Sequence, residues 1–375
     1  MEKLFNREEK TMQFIIRNSV KEIKTMVKAF TVSGDYDKKF YLYRLNITAT
    51  GDTVTMQGAK TGTSVTFDAE ISEPGNVSVN LVEFVDALKT IEDRPEIVVR
   101  NNRLSIIEGD FSRDVCDTDD YTAAPAYTWD DCPVVELPGK GFAEAVNAVI
   151  HCASDDESKY SMNGVNLDFG GYRGAAVVAV ATDGRRVAWH EVLKGDPKLF
   201  EGVPAFTVKS KAAEFIAANA GDGVVRFTVS ENRNVSISFG PYTLECCHIV
   251  NDFPTWRRVI PESGLVNTFT LAPEFVKETD RIARAASGKW RRVFVTVNGS
   301  GMTVSTEDAS QKVRSATGIE GSFRFGVNVD FLREAVKAAG KKALRFMLPD
   351  DPGRPFLCRT AEGNGEEVIM PMNLN

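Results

Sequence analysis

Apolar residues recur at helical spacing in several short segments of the chain, and each segment is apolar on one face only. That pattern is typical of helices that pack against a sheet. The starts of these segments are separated by roughly 60 residues, which indicates a repeated supersecondary unit. The predicted helices span residues 19–31, 80–91, 141–152, 210–220, 273–287 and 328–339.

Short runs of alternating apolar and polar residues lie between these helices and predict half-buried strands. Residues 224–230, 235–239 and 242–248 form one such set, and 293–297 with 302–305 form a hairpin. Each unit therefore reduces to one helix and about three or four antiparallel strands. The predicted fold class is α+β, with helices on one face of meandering sheets.

Two stretches interrupt the periodicity and mark domain boundaries. Asp117–Tyr127 is acidic and then rich in Ala and Pro, and Asn251–Gly264 is rich in Pro and Gly. Boundaries at these stretches predict three domains of two units each. The domains span residues 1–128, 129–261 and 262–375, with residues 1–11 as an N-terminal extension.

Composition places the chain among ordinary globular proteins. It has 375 residues, of which 43% are hydrophobic and 26% charged, with a net charge of −7. These values are typical of a soluble protein. We find no apolar run long enough for a membrane-spanning helix and no secretory signal at the N-terminus. We therefore expect a cytoplasmic protein.

The cysteines give no sign of a metal centre. The chain has six cysteines and three histidines, and no CxxC pair. His151 adjoins Cys152, and His248 follows Cys246 and Cys247, but neither cluster has the spacing of a tetrahedral metal site. The sequence predicts reduced cysteines, no metal and no cofactor.

Positive charge is concentrated on the predicted helices of this acidic chain. Lysines and arginines recur three or four positions apart on three of them, away from the apolar face. A single such face is typical of a solvated helix. Several faces in one repeat family favour a shared basic surface, suited to sequence-independent contact with a polyanion backbone.

Acidic clusters allow a different function. Asp155, Asp156 and Glu157, or Asp117, Asp119 and Asp120, offer carboxylates for a metal-dependent nuclease or phosphatase. Neither cluster has a second, spaced set of ligands, so solvated loops are the favoured interpretation. A repeat scaffold that binds only protein is a third hypothesis.

Four motifs narrow the choice. They are Tyr160–Gly164 (YSMNG), Ala181–Ala188 (ATDGRRVA), Phe253–Pro261 (FPTWRRVIP) and Val368–Leu374 (VIMPMNL). In the second motif, Asp183-Gly184 predicts a hairpin turn. In order and spacing the motifs resemble the YxLNG, ATDGxRLA, FPxxRRVIP and VxMPMRL patterns of the bacterial DNA polymerase III β subunits, the DNA sliding clamps. The first predicted domain resembles this family mainly through Met12-Gln13-Phe14 and its helix–strand order.

The resemblance implies a non-enzymatic processivity factor for DNA polymerase. A head-to-tail homodimer would close a six-domain ring around duplex DNA, with the helices lining the hole. Leu104 and Ile106, on a predicted edge strand of the first domain, become candidates for the dimer interface. The helix cations that become candidates for facing DNA are Lys21, Lys24, Lys28, Lys209, Lys277, Arg281 and Arg333.

The resemblance also implies a pocket between the second and third domains that binds short peptides. The partners implied are the replicative polymerase, the clamp loader, repair polymerases, ligase and mismatch repair proteins. Arg185 stands where the family often has His, Asn373 replaces a common Arg, and Asn375 extends past the usual terminal Leu. The family's pocket positions fall on Met162, Thr182, Gly184, Arg185, Arg186, Val187, Pro254, Arg258, Val259, Trp290, Val368, Met370, Pro371, Met372 and Leu374.

Overall fold

The structure is a computed structural model that describes residues 11–33, 43–119, 128–230, 234–245, 248–249, 251–288 and 290–374. The chain divides into two compact units. The first unit comprises Met1–Glu136 and Asp222–His248, and the second comprises Leu137–Gly221 and Ile249–Asn375. These limits differ from the predicted domain boundaries, and the three-domain division stays a prediction.

The strands and helices succeed one another in three stretches of the chain. Up to residue 138 they are β1 (Met12–Ile16), α1 (Val20–Met26), α2 (Lys28–Ser33), β2 (Arg44–Thr50), β3 (Thr53–Gly58), β4 (Ser64–Glu73), β5 (Gly75–Asn80), α3 (Leu81–Leu88), β6 (Glu96–Arg100), β7 (Arg103–Glu108), β8 (Phe111–Asp117) and β9 (Val134–Pro138). Up to residue 249 they are α4 (Gly139–Val149), β10 (Gly164–Asp168), β11 (Ala175–Thr182), β12 (Arg186–Lys194), β13 (Phe206–Lys209), α5 (Ser210–Asn219), β14 (Val224–Val229), β15 (Val235–Phe239), β16 (Tyr242–Leu244) and β17 (His248–Ile249).

The remaining strands and helices lie in the second unit. They are β18 (Leu265–Leu271), α6 (Phe275–Glu278), α7 (Asp280–Ala285), β19 (Arg292–Asn298), β20 (Gly301–Ser305), β21 (Ser310–Val313), β22 (Ala316–Glu320), β23 (Phe323–Asn328), α8 (Val329–Ala338), β24 (Leu344–Pro349), β25 (Phe356–Thr360) and β26 (Gly365–Ile369). Short 3-10 helices span Ile150–Cys152, Glu157–Met162, Pro197–Phe200 and Trp256–Val259.

All of the predicted helical segments are helical, and their ends follow from capping residues. Asn80 and Asn328 accept hydrogen bonds at Oδ1 from the backbone N–H groups two residues on, each at 2.9 Å. Ser19 and Glu22 form a capping box ahead of α1. The segment predicted at 273–287 is broken at Thr279, whose hydroxyl donates to the Phe275 carbonyl at 2.7 Å.

The first unit is built on one twelve-stranded sheet. Its main path runs β8-β7-β6-β1-β4-β16-β15-β14-β9, and β2, β3 and β5 branch from it. The apolar faces of the strands and helices meet in a core that includes Phe14, Phe30, Phe67 and Phe84, all fully buried. The arrangement agrees with the predicted helix-on-sheet packing.

The prediction that Leu104 and Ile106 lie on an edge strand is wrong. β7 lies between β6 and β8, and the side chains of Leu104 and Ile106 are 0% exposed. They are therefore core residues and do not present a surface to a second copy. The sequence of β8, FSRDVCD, lacks apolar alternation because only Cys116 is buried, so the periodicity gave no sign of this outer strand.

The second unit holds a ten-stranded and a four-stranded sheet. The ten-stranded order is β17-β13-β10-β11-β12-β26-β25-β24-β18-β22, and the four-stranded order is β21-β20-β19-β23. Phe269 and Phe346 stack in its main core with ring centroids 4.8 Å apart. The antiparallel pairing of β12 with β26 places the C-terminal strand beside the hairpin predicted at Ala181–Ala188.

Candidate functional site

The hairpin between β11 and β12 is held by its own polar side chains. Asp183 Oδ1 accepts from the backbone N–H groups of Arg185 at 2.8 Å and Arg186 at 3.1 Å. Thr182 Oγ1 donates to the Arg186 carbonyl at 2.6 Å. Gly184 has φ +84°, a conformation that favours glycine. Asp183 and Thr182 therefore fix the direction in which β12 leaves the turn.

Strand pairing brings the C-terminal motif against this hairpin. Val187 faces Val368 across the β12–β26 ladder, and the Met370 N–H donates to the Arg185 carbonyl at 2.9 Å. Val187 and Val368 are almost fully buried, whereas Met370 is 42% exposed. The hairpin and the tail thus form two adjoining walls with an open methionine at the edge.

The 3-10 helix at Trp256–Val259 forms the third wall. Trp256 packs against Tyr172 and Trp189, with ring centroids 5.0 and 6.5 Å away. Its Nε1 donates to Asp168 at 3.1 Å, and Arg257 binds the same carboxylate through two nitrogens at 2.7 and 3.0 Å. Burial alone raises the pKa of Asp168, but these hydrogen bonds lower it overall. The ionised carboxylate anchors the motif Phe253–Pro261.

The three walls enclose a mainly apolar cavity of about 300 Å³, here called the apolar pocket. All of its lining residues except Thr255 and Trp256 were predicted, and these two lie within a predicted motif. The tryptophan at the centre of that motif is the sequence feature that could have identified both residues. The lining residues are Met162, Thr182, Gly184, Arg185, Arg186, Val187, Pro254, Thr255, Trp256, Val259, Val368 and Met370. Their role in binding a peptide stays a prediction.

Five predicted residues do not line the apolar pocket: Arg258, Trp290, Pro371, Met372 and Leu374. Arg258 is exposed on the 3-10 helix. The tail turns away after Met370, because the Met372 N–H donates to the Gly326 carbonyl at 2.8 Å. A Cβ at Gly326 would lie 2.7 Å from the Met372 oxygen, so this approach requires glycine.

Trp290 is connected to the apolar pocket through Arg185. The Arg185 guanidinium lies over the indole ring, 3.5 Å from its centroid, as in a cation–π pair. Both residues also line an adjoining cavity of about 880 Å³, here called the polar cavity. Arg185 is thus shared between the two cavities.

Arg186 differs from Arg185 because it is buried. Its side chain is 7% exposed and forms ion pairs with Glu334 at 2.6 Å and Asp183 at 3.3 Å. It also donates to the His151 carbonyl at 2.5 Å and lies over the Phe331 ring. We infer that Arg186 holds the wall of the apolar pocket in place.

The predicted DNA-facing cations fall into two groups. Lys21, Lys28, Lys277 and Arg281 are exposed, and Lys209 is half-buried. The other two are bound by neighbouring groups, and the DNA-facing role of all seven stays a prediction.

The engaged cations are Lys24 and Arg333. Lys24 Nζ donates to the carbonyls of Lys89 at 3.3 Å and Ile91 at 2.9 Å. The Arg333 side chain is 12% exposed and pairs with Asp280 at 2.5 Å. The carboxylate of Asp280 therefore already neutralises much of the Arg333 charge that would otherwise attract a DNA phosphate.

The acidic loops have structural partners. Asp156 caps a 3-10 helix by accepting from the Ser158 N–H at 3.0 Å, and Asp119 pairs with Arg44 at 2.5 Å. Asp120 lies outside the described residues. Within the described part of the chain, neither loop gathers three possible metal ligands.

The relatives found by sequence comparison are beta sliding clamps. No family model matches the chain. It is 26% identical to a beta sliding clamp of Streptomyces coelicolor over 83% of this chain and 85% of the relative. For a beta sliding clamp of Haemophilus influenzae the values are 23%, 88% and 89%. A beta sliding clamp of Treponema pallidum is 24% identical over 63% of this chain, which spans 64% of that relative's length.

Solved structures of sliding clamps have the same fold as this chain. A sliding clamp from Pseudomonas aeruginosa bound to griselimycin superposes with a TM-score of 0.82 at 19% identity, covering 97% of this chain and 100% of that chain. For the DNA polymerase III beta subunit of Thermotoga maritima the TM-score is 0.80 at 18% identity, with the same coverage.

The chain is similar in sequence to beta sliding clamps and shares the fold of solved sliding clamps.

These relatives give no support to the nuclease or phosphatase alternative. Among the helices that the structure describes, none is both long and apolar enough to cross a membrane.

Proposed function

We propose that this clamp is a non-catalytic processivity factor that encircles duplex DNA and tethers a replicative polymerase through the apolar pocket. The observation that carries the proposal is the convergence of four motif segments, separate in sequence, on one cavity within a clamp fold. A second binding mode is needed for DNA, and the exposed helix cations supply it.

The apolar pocket suits short peptides from several partners. Met162 and Met370 are flexible and polarizable, so they can adapt to different apolar side chains. Arg185 and Arg258 are exposed and can bind an acidic residue or a backbone carbonyl of the peptide. The proposed partners are the replicative polymerase, the clamp loader, repair polymerases, ligase and mismatch repair proteins.

The exposed cations suit contact with DNA that does not depend on sequence. Lys21, Lys28, Lys277 and Arg281 are exposed and can contact phosphates, and such contacts position a protein on DNA without specifying a sequence. A closed ring needs only weak contacts of this kind, because topology retains it on the duplex.

A head-to-tail homodimer would close the ring. In the described sheets, β8 and β21 are outermost strands with one unpaired edge each. Pairing β8 of one copy with β21 of the next would extend both sheets and satisfy both edges. Phe111 on β8 is 46% exposed and replaces Leu104 and Ile106 as our candidate for this interface.

Light scattering tests the assembly. At micromolar concentration we expect a mass of twice the 41.2 kDa chain. Phe111→Asp should shift the species toward monomer, because a charge would face the apolar part of the interface. Val266→Asp is the matched control, since Val266 is similarly exposed at 56% but lies on β18. A wild-type protein that is only monomeric would refute the ring.

A further inference from the structure

A buried cluster of metal-binding side chains lies beside the wall of the apolar pocket. His151 and Cys152 end the 3-10 helix that follows α4, and Glu367 precedes Val368 on β26. His151 Nε2 lies 2.9 Å from Glu367 Oε2 and 3.4 Å from Cys152 Sγ. One ligand atom from each residue lies within 4.8 Å of the others. These separations let all three atoms reach a single ion.

The two consecutive glutamates of β26 differ in their ion-pair partners. Glu366 is paired with Arg173 and Arg359 and also accepts from Trp189 Nε1. Glu367 is almost as buried, with its side chain 7% exposed, yet its only ion-pair partner among the described residues is His151. A buried carboxylate normally has a permanent cation or a metal beside it.

The unused coordinating capacity of Glu367 points to a ligand. Its Oε1 is buried and has no hydrogen-bond partner within the described part of the chain. Arg186 interacts electrostatically with Glu367 and Cys152, but its ion pairs are with Glu334 and Asp183, so it forms no ion pair with either oxygen of Glu367. Glu367 is thus a nearly buried acid with a free oxygen next to a thiol and an imidazole.

We propose that His151, Cys152 and Glu367 form a binding site for a divalent transition metal of the Zn²⁺ class. Sulfur, imidazole nitrogen and carboxylate oxygen together favour zinc over magnesium or calcium, which prefer oxygen ligands. Three protein ligands leave a fourth position for water. Coordination by the Cys152 sulfur replaces the thiol proton, which passes to solvent.

The site has routes for an ion to enter. His151 lines the polar cavity, and Glu367 lines a further cavity of about 370 Å³. A bound ion would join the 3-10 helix to β26, directly before the pocket residue Val368. Sequence spacing alone did not reveal the set, because Glu367 lies 216 residues after His151.

Cobalt substitution tests the site directly. The full-length protein is titrated with Co²⁺, and thiolate coordination is followed by charge-transfer absorption in the near ultraviolet. We expect one Co²⁺ per chain, displaced by Zn²⁺. Cys152→Ser should abolish the band, whereas Cys116→Ser should retain it, since Cys116 is also buried but lies outside the cluster.

A second variant guards against loss of folding. Glu367→Gln keeps the shape and one hydrogen-bonding oxygen, and circular dichroism verifies its fold. Zinc affinity, measured by calorimetry, should fall at least about 10–100-fold, the effect known for losing even an outer-shell partner. Absence of a band in the wild type, or a band that persists in Cys152→Ser, would overturn the proposal. The cluster would then be a hydrogen-bonded His–Glu pair without a metal.

Discussion

The apolar pocket and the basic helix faces are built in opposite ways. The pocket is assembled from segments that strand pairing and packing hold together, and Val187 and Val368 are only 5% and 2% exposed. The helix faces consist of separate side chains such as Lys28 and Arg281, which project into solvent. We therefore expect recognition in the pocket to be concentrated in a few residues and contact with DNA to be spread over many weak ones.

The two arginines of the hairpin test how firmly the pocket wall is built. Arg186→Ala removes a buried cation from two carboxylates, and we expect unfolding free energy to fall by about 3 kcal/mol. Arg185→Ala, at an exposed position, should change it by less than about 1 kcal/mol. Urea unfolding of both variants measures the difference. Equal effects would mean that Arg186 does not hold the wall.

The open edge of the pocket tests where binding is concentrated. Met370→Ala removes a lining side chain without disturbing the core, so a peptide from the replicative polymerase should bind about tenfold or more weakly. Calorimetry measures the affinity. Val266→Ala serves as the control because it is exposed away from the pocket. Unchanged binding in Met370→Ala would move the peptide site elsewhere.

The helix faces should respond to salt in small, separate steps. Lys277→Ala should reduce the slope of log affinity for a short duplex against log salt by about 1, as expected when one phosphate contact is lost. Arg333→Ala should leave the slope unchanged, because Asp280 already offsets that charge. Fluorescence anisotropy over a range of salt concentrations provides both slopes. A larger change for Arg333 would reverse our division of the cations.

The smallest effect is expected at the outer rim of the pocket. Trp290→Ala removes the ring beneath Arg185, an exposed cation–π contact worth about 0.5–1 kcal/mol. Peptide affinity should therefore fall less than in Met370→Ala when both are measured by the same calorimetry. A loss larger than that of Met370→Ala would place the main contact on the polar-cavity side.

The features that were predicted correctly from the sequence are those with local signals. The hairpin turn and the helices that begin after Asn80 and Asn328 carry local signals, namely turn chemistry, capping and periodicity. The segments that form the pocket were predicted from their resemblance to the motifs of a known family. Strand β8 carried no such signal because its residues do not alternate in burial. Its omission is why Leu104 and Ile106 were assigned to an edge.

Contacts between residues that lie far apart in the sequence could not be predicted either. The charge of Arg333 was evident, but its pairing with Asp280 depends on how α7 packs beside α8. Glu367 reaches His151 only through the strand order of the ten-stranded sheet and the 3-10 helix after α4. Periodicity and motif spacing contain no information on such contacts, and only the folded chain reveals them.

Retention on circular DNA tests the ring most directly. The protein is loaded onto nicked circular duplex DNA by a clamp loader, and free protein is removed by gel filtration in moderate salt. We predict that the clamp stays with the circle and is released when a restriction enzyme linearises it. Release from the intact circle, or retention on the linear product, would contradict a topological clamp.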